Sequence, residues 1–278
     1  MRYIEGSIDM WKTIYFYVHS IAQQDNFLKK VTPLLQSYDK KWFFIKYWYG
    51  GPHLRFRFLN PSKSFLKKFE LEMDNFSRTS QVLEISKKGF YSKINFEKEN
   101  VNSDNLPWYD HGTWFYTQYK PEVERYGEGK ALELSETIFY KSSQLALEVI
   151  NSTSIFSRRL VIASLIMYEL LESTNCLTED FLLSYMNYWK SYDRESNLDI
   201  SKLTPIIETE LKNRSIIEIK NYISNVLPIW KEIVQILGKR AATYVISSQI
   251  HMTNNRISVV PAVEYKITKL LLEVFRAK

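Results

Sequence analysis

Cysteine is almost missing from this chain. Cys176 stands alone in 278 residues, which excludes any intrachain disulfide and fits a reducing compartment. We read it as a core or surface thiol of a helix, not as a nucleophile. Histidine is scarce too, with His19, His53, His111 and His251 only, so a zinc site has poor prospects. Glycine and proline number eight each, too few for long disordered linkers. The longest apolar run, "LVIASLIMY" at 160–168, is too short to cross a bilayer. The opening "MRYIEGSIDMWK" has no apolar signal-peptide core. A cytoplasmic protein without a membrane span is expected. There is no P-loop, no G-x-G-x-x-G, no H-E-x-x-H and no G-x-S-x-G. No cofactor is therefore expected, and any chemistry falls to acid–base groups and arginines.

What the chain does have is aromatic surface and positive charge. It carries 19 Tyr, 16 Phe and 7 Trp, and a formal net charge of +6. The charge points to an anionic partner, such as an acidic peptide, a carboxylated substrate or nucleic acid. No Lys/Arg block appears, and basic and aromatic residues do not interleave in one groove-like stretch, so nucleic acid ranks last.

The first part reads as mixed strands and helices. Strands are expected at 13–20, 41–49 and 53–59, with Gly50, Gly51 and Pro52 turning a hairpin between the last two. Helices are expected at 25–38, despite Pro33, and at 62–79 behind a serine cap. Further strands are read at 89–98 and 112–122. Helices then take over at 131–150, 157–173, 178–192, 215–237 (interrupted at Pro228), 241–255 and 263–275. Strands followed by helices make this an α+β chain: an N-terminal antiparallel sheet with flanking helices, then a mostly helical C-terminal half. No repeat or composition shift cuts it, and we read one domain over 1–278.

Three constellations could carry chemistry. In "GGPHLRFRF" (50–58), the period of two puts His53, Arg55 and Arg57 on one face and Leu54, Phe56 and Phe58 on the other. A solvated strand face is the bland alternative. Guanidinium forks beside a tight glycine turn also suit capture of carboxylates or phosphates. "YKPEVERYGEG" (119–129) offers Arg125 and Tyr126, either as a local ion pair in a loop or as one more arginine for the same anion. In "SSQIHMTNNRISV" (247–259), His251 and Asn255 share a helix face, and Arg256 sits where a helix end favours a cation.

Taken together, four segments resemble a known family. They are Trp11, Tyr15 and Tyr17 in a W-x3-Y-x-Y pattern, "WFFIKYWYGGPHLRFRF" (42–58), "YKPEVERYG" (119–127) and "HMTNNRI" (251–257). In this order they are similar to the thiopeptide-type bacteriocin biosynthesis domain, which also forms the C-terminal glutamate-elimination part of lantibiotic dehydratases. The resemblance runs from Trp11 to the final helix. It implies an enzyme that matures ribosomally made peptides. One activity in the family removes glutamate from O-glutamylated Ser or Thr, leaving dehydroalanine or dehydrobutyrine. Another, pyridine synthesis, joins two dehydroalanines in a formal [4+2] cycloaddition and expels water and the leader peptide. The large glutamylation domain is not in this sequence, so a split elimination subunit or a pyridine synthase is expected, with a non-catalytic peptide-binding scaffold as a third reading.

Motif by motif, the resemblance places the elimination residues on Arg55, Arg57, Arg125 and His251, with His53, Tyr126, Asn255 and Arg256 as substrate-binding candidates. It departs at Lys46, where the family usually has arginine, and after "NNRI", where a glycine is expected and Ser258 stands. Expected partners are a precursor peptide with an acidic leader, gripped by the basic surface, and a separate glutamyl-tRNA-dependent glutamylating subunit. A homodimer is also expected.

Overall fold

A computed structural model describes residues 10–81, 85–92, 103–195 and 198–277. They group into two compact units. One holds the described residues up to Phe90 together with Ser103–Pro121, and the other holds Tyr91 and the chain from Glu122 onward.

The first unit is a four-stranded antiparallel sheet with helices. In chain order it runs β1 (Trp11–Tyr17), α1 (Ile21–Gln36), β2 (Trp42–Tyr47), β3 (His53–Leu59), α2 (Lys63–Thr79), α3 (Lys87–Tyr91, all but its last residue) and β4 (Trp114–Thr117). The spatial order is β2-β3-β1-β4, so β3 and β1 are central. Ile14 pairs with Phe56, Phe44 with Phe56 and Phe16 with Leu54. These residues are fully buried along with Phe58. Edge-to-face contacts tie them to α1 through Phe27 (6.0 Å from Phe56) and to α2 through Phe69 (4.9 Å from Phe56). Two caps set the helix starts, Ser20 on α1 and Ser62 on α2.

Lys46 pairs with Leu54 and so lies on this apolar side. Its Nζ meets Asp25 of α1 at 2.5 Å, with both side chains nearly buried. The lysine found in place of the family's arginine is thus an internal strut between β2 and α1.

Where a strand was expected over 89–98, residues 87–91 form the short helix α3, and 93–98 lie outside the described residues. Ser86 Oγ accepts the Gly89 N–H at 3.0 Å and caps that turn. The strand expected over 112–122 shortens to β4, between Gly112 at φ +87° and Pro121.

The second unit is helical: α4 (Val123–Tyr126), α5 (Lys130–Ser152), α6 (Phe156–Ser173), α7 (Glu179–Trp189), α8 (Thr204–Asn213), α9 (Ile217–Leu237), α10 (Lys239–Arg256) and α11 (Pro261–Arg276). Every residue from Arg159 to Leu171 of α6 is buried, so this helix is the centre of the unit. Its apolar run is a core helix, and among the described residues no helix is long and apolar enough to cross a membrane. Cys176 is buried, but it lies in the connection between α6 and α7 and not on a helix as expected.

The break expected at Pro228 does not occur, because α9 runs straight through it. An internal proline costs about 3 kcal/mol. The buried stripe Ile219, Tyr222, Ile223, Val226, Trp230 and Ile233 continues in phase across it, and each such burial returns roughly 1.5–3 kcal/mol.

Helix α10 ends in a Schellman motif. The Val259 N–H reaches the Asn254 carbonyl at 2.9 Å, and the Ser258 N–H reaches Asn255 at 3.1 Å. Ser258 has φ +71°, the left-handed region that favours glycine. Serine therefore holds the backbone conformation for which the family's glycine is suited.

Candidate functional site

In the first unit the site is built on the side of the sheet away from the Phe56 core. The glycine turn begins it. Gly50 and Gly51 have φ of +87° and +103°, and a Cβ on Gly50 would lie 2.9 Å from the Tyr17 hydroxyl. The Gly51 carbonyl meets His53 Nδ1 at 2.8 Å. The Arg55 Nε–H donates to His53 Nε2 at 2.9 Å. Nε2 is therefore the acceptor, the ring proton sits on Nδ1, and Gly51 O receives it. Burial holds the His53 pKa down at about 3, with Arg55 and Arg57 pushing in the same direction. His53 is a neutral spacer between turn and arginine.

Arg55 is also sandwiched. Its Cζ lies 4.3 Å from the Tyr15 ring and 3.6 Å from the Tyr47 ring. Arg57 sits between Phe43 and Tyr119 at 5.1 and 5.2 Å. The solvated-face alternative is thereby overturned. His53 is 0 % and Arg57 8 % exposed, while Arg55 is half-buried. Two stiffly held guanidinium groups stand on one aromatic-lined strand face.

His53 also makes stability depend on pH. An unfolded imidazole titrates near 6.5, and the folded ring is held below that. The His19 and His111 rings are lowered as well, chiefly by burial. A folded pKa depressed in this way favours the neutral ring, so the stabilisation is complete above 6.5. It is lost as pH falls toward the folded value, at about 1.4 kcal/mol per pH unit for His53 alone. Urea unfolding at about pH 7 and about pH 5 is expected to differ by roughly 2 kcal/mol, and His53→Gln to remove most of that difference. Equal midpoints in the wild type would contradict it.

The second unit holds a separate cluster, built around His251 on α10. Its Nδ1 lies 2.7 Å from Glu264 Oε1, and the Tyr185 hydroxyl donates to Glu264 Oε2. Trp189 packs on the imidazole with ring centroids 4.6 Å apart. The His251 side chain keeps 17 % exposure while Glu264 has none. Among the described residues the Nε2 atom has no hydrogen-bond partner. Asn255, one turn on along α10, is half-buried like His251, as their spacing implied. Arg125 on α4 makes the local ion pair with Glu122 at 3.4 Å. It also lies within electrostatic range of the Tyr188 phenol, whose ring touches Trp189 at 4.6 Å.

Three of the substrate-binding candidates lie in the interior: His53 and Arg256 at 0 % and Tyr126 at 2 % exposure. Arg256 donates from Nε to Ser143 Oγ on α5 at 3.0 Å, and Tyr126 packs edge-on against Phe139 at 4.8 Å. Among the described residues no three His, Cys, Asp or Glu side chains are placed to share a metal ion.

Comparison with known proteins decides the family. The sequence pattern described as Lantibiotic biosynthesis dehydratase C-term matches residues 11–275. The chain belongs to the lantibiotic dehydratase C-terminal family. Members of this family are enzymes that modify ribosomally made peptides. No curated protein matches the chain by sequence. Among solved structures, the fold is shared with a pyridine synthase, TbtD, from thiomuracin biosynthesis. That pair has a TM-score of 0.65 and 12% identity, over 97% of this chain and 98% of that one. It is also shared with the tRNA-dependent lantibiotic dehydratase MibB from a Microbispora species, at TM-score 0.59 and 18% identity. There all of this chain covers 29% of the other. TsrL gives a TM-score of 0.56 and 15% identity, over 97% and 95% of the two chains.

Three members of the His251 cluster, Glu264, Tyr185 and Trp189, escaped the sequence reading. Glu264 falls three, four and seven residues before Ile267, Thr268 and Leu271, all of them buried on α11. A carboxylate in phase with an apolar stripe is a signal that was there to be read. Tyr185 carried no such mark, since a tyrosine in a helical stripe is ordinary core.

Proposed function

We propose that this lantibiotic dehydratase C-terminal-type chain is a lyase acting on a ribosomally made precursor peptide. It removes glutamate from O-glutamylated Ser or Thr. The observation that carries this reading is His251, held at Nδ1 by a buried carboxylate and with Nε2 unengaged among the described residues. β-Elimination needs a base for the Cα proton. His251 fills that role. The electron pair of the Cα–H bond becomes the Cα=Cβ bond, the Cβ–O bond breaks, and glutamate leaves as a carboxylate. Arginines supply the rest. One stabilises charge that develops on the peptide carbonyl, and others hold the carboxylates of the departing glutamate. Arg55, Arg57 and Arg125 are the residues for these tasks. The glutamate ester is made beforehand by a glutamyl-tRNA-dependent subunit, and an acidic leader is held by the basic surface.

A second reading, pyridine synthesis, is favoured by Tyr188. It is 56 % exposed and touches Trp189, and its ring offers a stacking surface for a thiazole.

Mass spectrometry on two synthetic peptides separates the readings. Loss of glutamate from an O-glutamyl-serine peptide, leaving dehydroalanine, is the expected result. Release of a macrocycle with a new six-membered aromatic ring from a peptide bearing thiazoles and two dehydroalanines would replace it with pyridine synthesis. Binding without change to either peptide would leave only a scaffold.

A further inference from the structure

The groups around His251 form a chain that runs inward from three helices. His251 stands on α10, Glu264 in the first turn of α11, and Tyr185 and Trp189 one turn apart on α7. A carboxylate with no exposure persists as an anion only where donors converge on it. Here two do, the imidazole at Oε1 and the Tyr185 hydroxyl at Oε2. Burial first, and then Glu264 itself, push the Tyr185 phenol well above its ordinary range, so it remains a donor. With Oε2 served by the phenol, Oε1 is left to the ring, and acceptance there requires the proton on Nδ1. The lone pair is then on Nε2. Trp189 lies against one face of the same ring and limits its rotation.

We infer that Glu264, Tyr185 and Trp189 are positioning residues that hold His251 as the Nδ1–H tautomer, so that Nε2 is its proton-accepting atom. The inference rests on His251 being the base of the elimination proposed above. When Nε2 takes the Cα proton, the positive charge stays on the imidazole, between the Glu264 carboxylate and the Trp189 ring. Glu264 does not itself take the proton. Tyr185 acts one step further back, by fixing which carboxylate oxygen faces the ring.

Glu264→Gln tests this, because it replaces one carboxylate oxygen by an NH2 that donates to Nδ1 and so moves the ring proton to Nε2. The measurement is 15N NMR of the full chain with labelled histidine at about pH 8.5, where an ordinary imidazole is neutral. The His251 signals are assigned by their loss in His251→Gln. The wild type is expected to show a protonated Nδ1 and a bare Nε2, and Glu264→Gln the reverse. In parallel, kcat on the O-glutamyl-serine peptide falls by about 10³–10⁴-fold with little change in KM, the size of effect seen when a buried carboxylate partner of a catalytic histidine is amidated. Glu264→Asp keeps the wild-type tautomer and recovers part of the activity. Tyr185→Phe loses about tenfold, as for one hydrogen bond to a charged group.

Wild-type tautomer and turnover in Glu264→Gln would overturn the inference. If that variant does not fold, a Tyr185→Phe protein with unaltered kcat and an Asp variant with the inverted tautomer would overturn it instead. The spectrum does not depend on the reaction. A chain that releases no glutamate but inverts its tautomer in Glu264→Gln keeps the positioning frame and loses only the elimination reading.

Discussion

His251→Ala is expected to stop glutamate release. Loss of a positioned general base lowers kcat by about 10²–10⁴-fold. Among the described residues the ring is attached to Glu264 and packs on Trp189, and neither contact involves Arg55, Arg57 or Arg125. Binding of the glutamylated peptide, followed by fluorescence anisotropy, should be nearly unchanged. Added imidazole should restore part of the turnover, because the cavity keeps the Glu264 acceptor. Full activity in the alanine variant would remove His251 from the mechanism. A parallel loss of peptide affinity would instead make it a binding residue.

Arg55→Lys is expected to lose roughly 10²-fold in kcat/KM, within the range found on removing one preorganised donor from a catalytic site. The change keeps the charge, so a purely electrostatic role would tolerate it. What lysine cannot keep is the geometry. A flat guanidinium fits between Tyr15 and Tyr47, and its Nε–H reaches His53. An ammonium on a flexible stem does neither. Substitution at Arg57, which sits farther from its flanking rings, should be the milder of the two. Steady-state kinetics on the same peptide checks both, and a lysine variant at wild-type rate would sink the preorganisation argument.

Much of this was legible before any coordinates. The alternation in "HLRFRFL" puts Leu54, Phe56 and Phe58 in the core and the arginines on the reverse face, and β3 occupies those seven residues. The Gly-Gly-Pro hairpin and the Ser62 cap were readable because turn and cap chemistry is local. What could not be read was burial on the arginine side. A period of two is the same whether a face meets water or a second layer of tyrosines. Helix α8 passed unnoticed because its ten residues bury only Ile207 and Leu211, too few to make a stripe. The carboxylate behind His251 comes from the next helix and its phenol from one 79 residues upstream, and no window along the chain contains such a set.

The sheet pairing of β3 has one further consequence, for how such a chain can change over time. Its two faces are interleaved residue by residue, with fully buried phenylalanines on one side and guanidinium groups on the other. Adding or deleting one residue within β3 would turn every later side chain over. The guanidinium groups of Arg55 and Arg57 would then point at Phe27 and Phe69, and the phenylalanines at the tyrosines. Divergence here must proceed by replacement and never by length, so gains and losses of residues are confined to the connections between elements. Even at very low sequence identity, a relative is expected to keep the count of residues from its glycine turn to its second arginine.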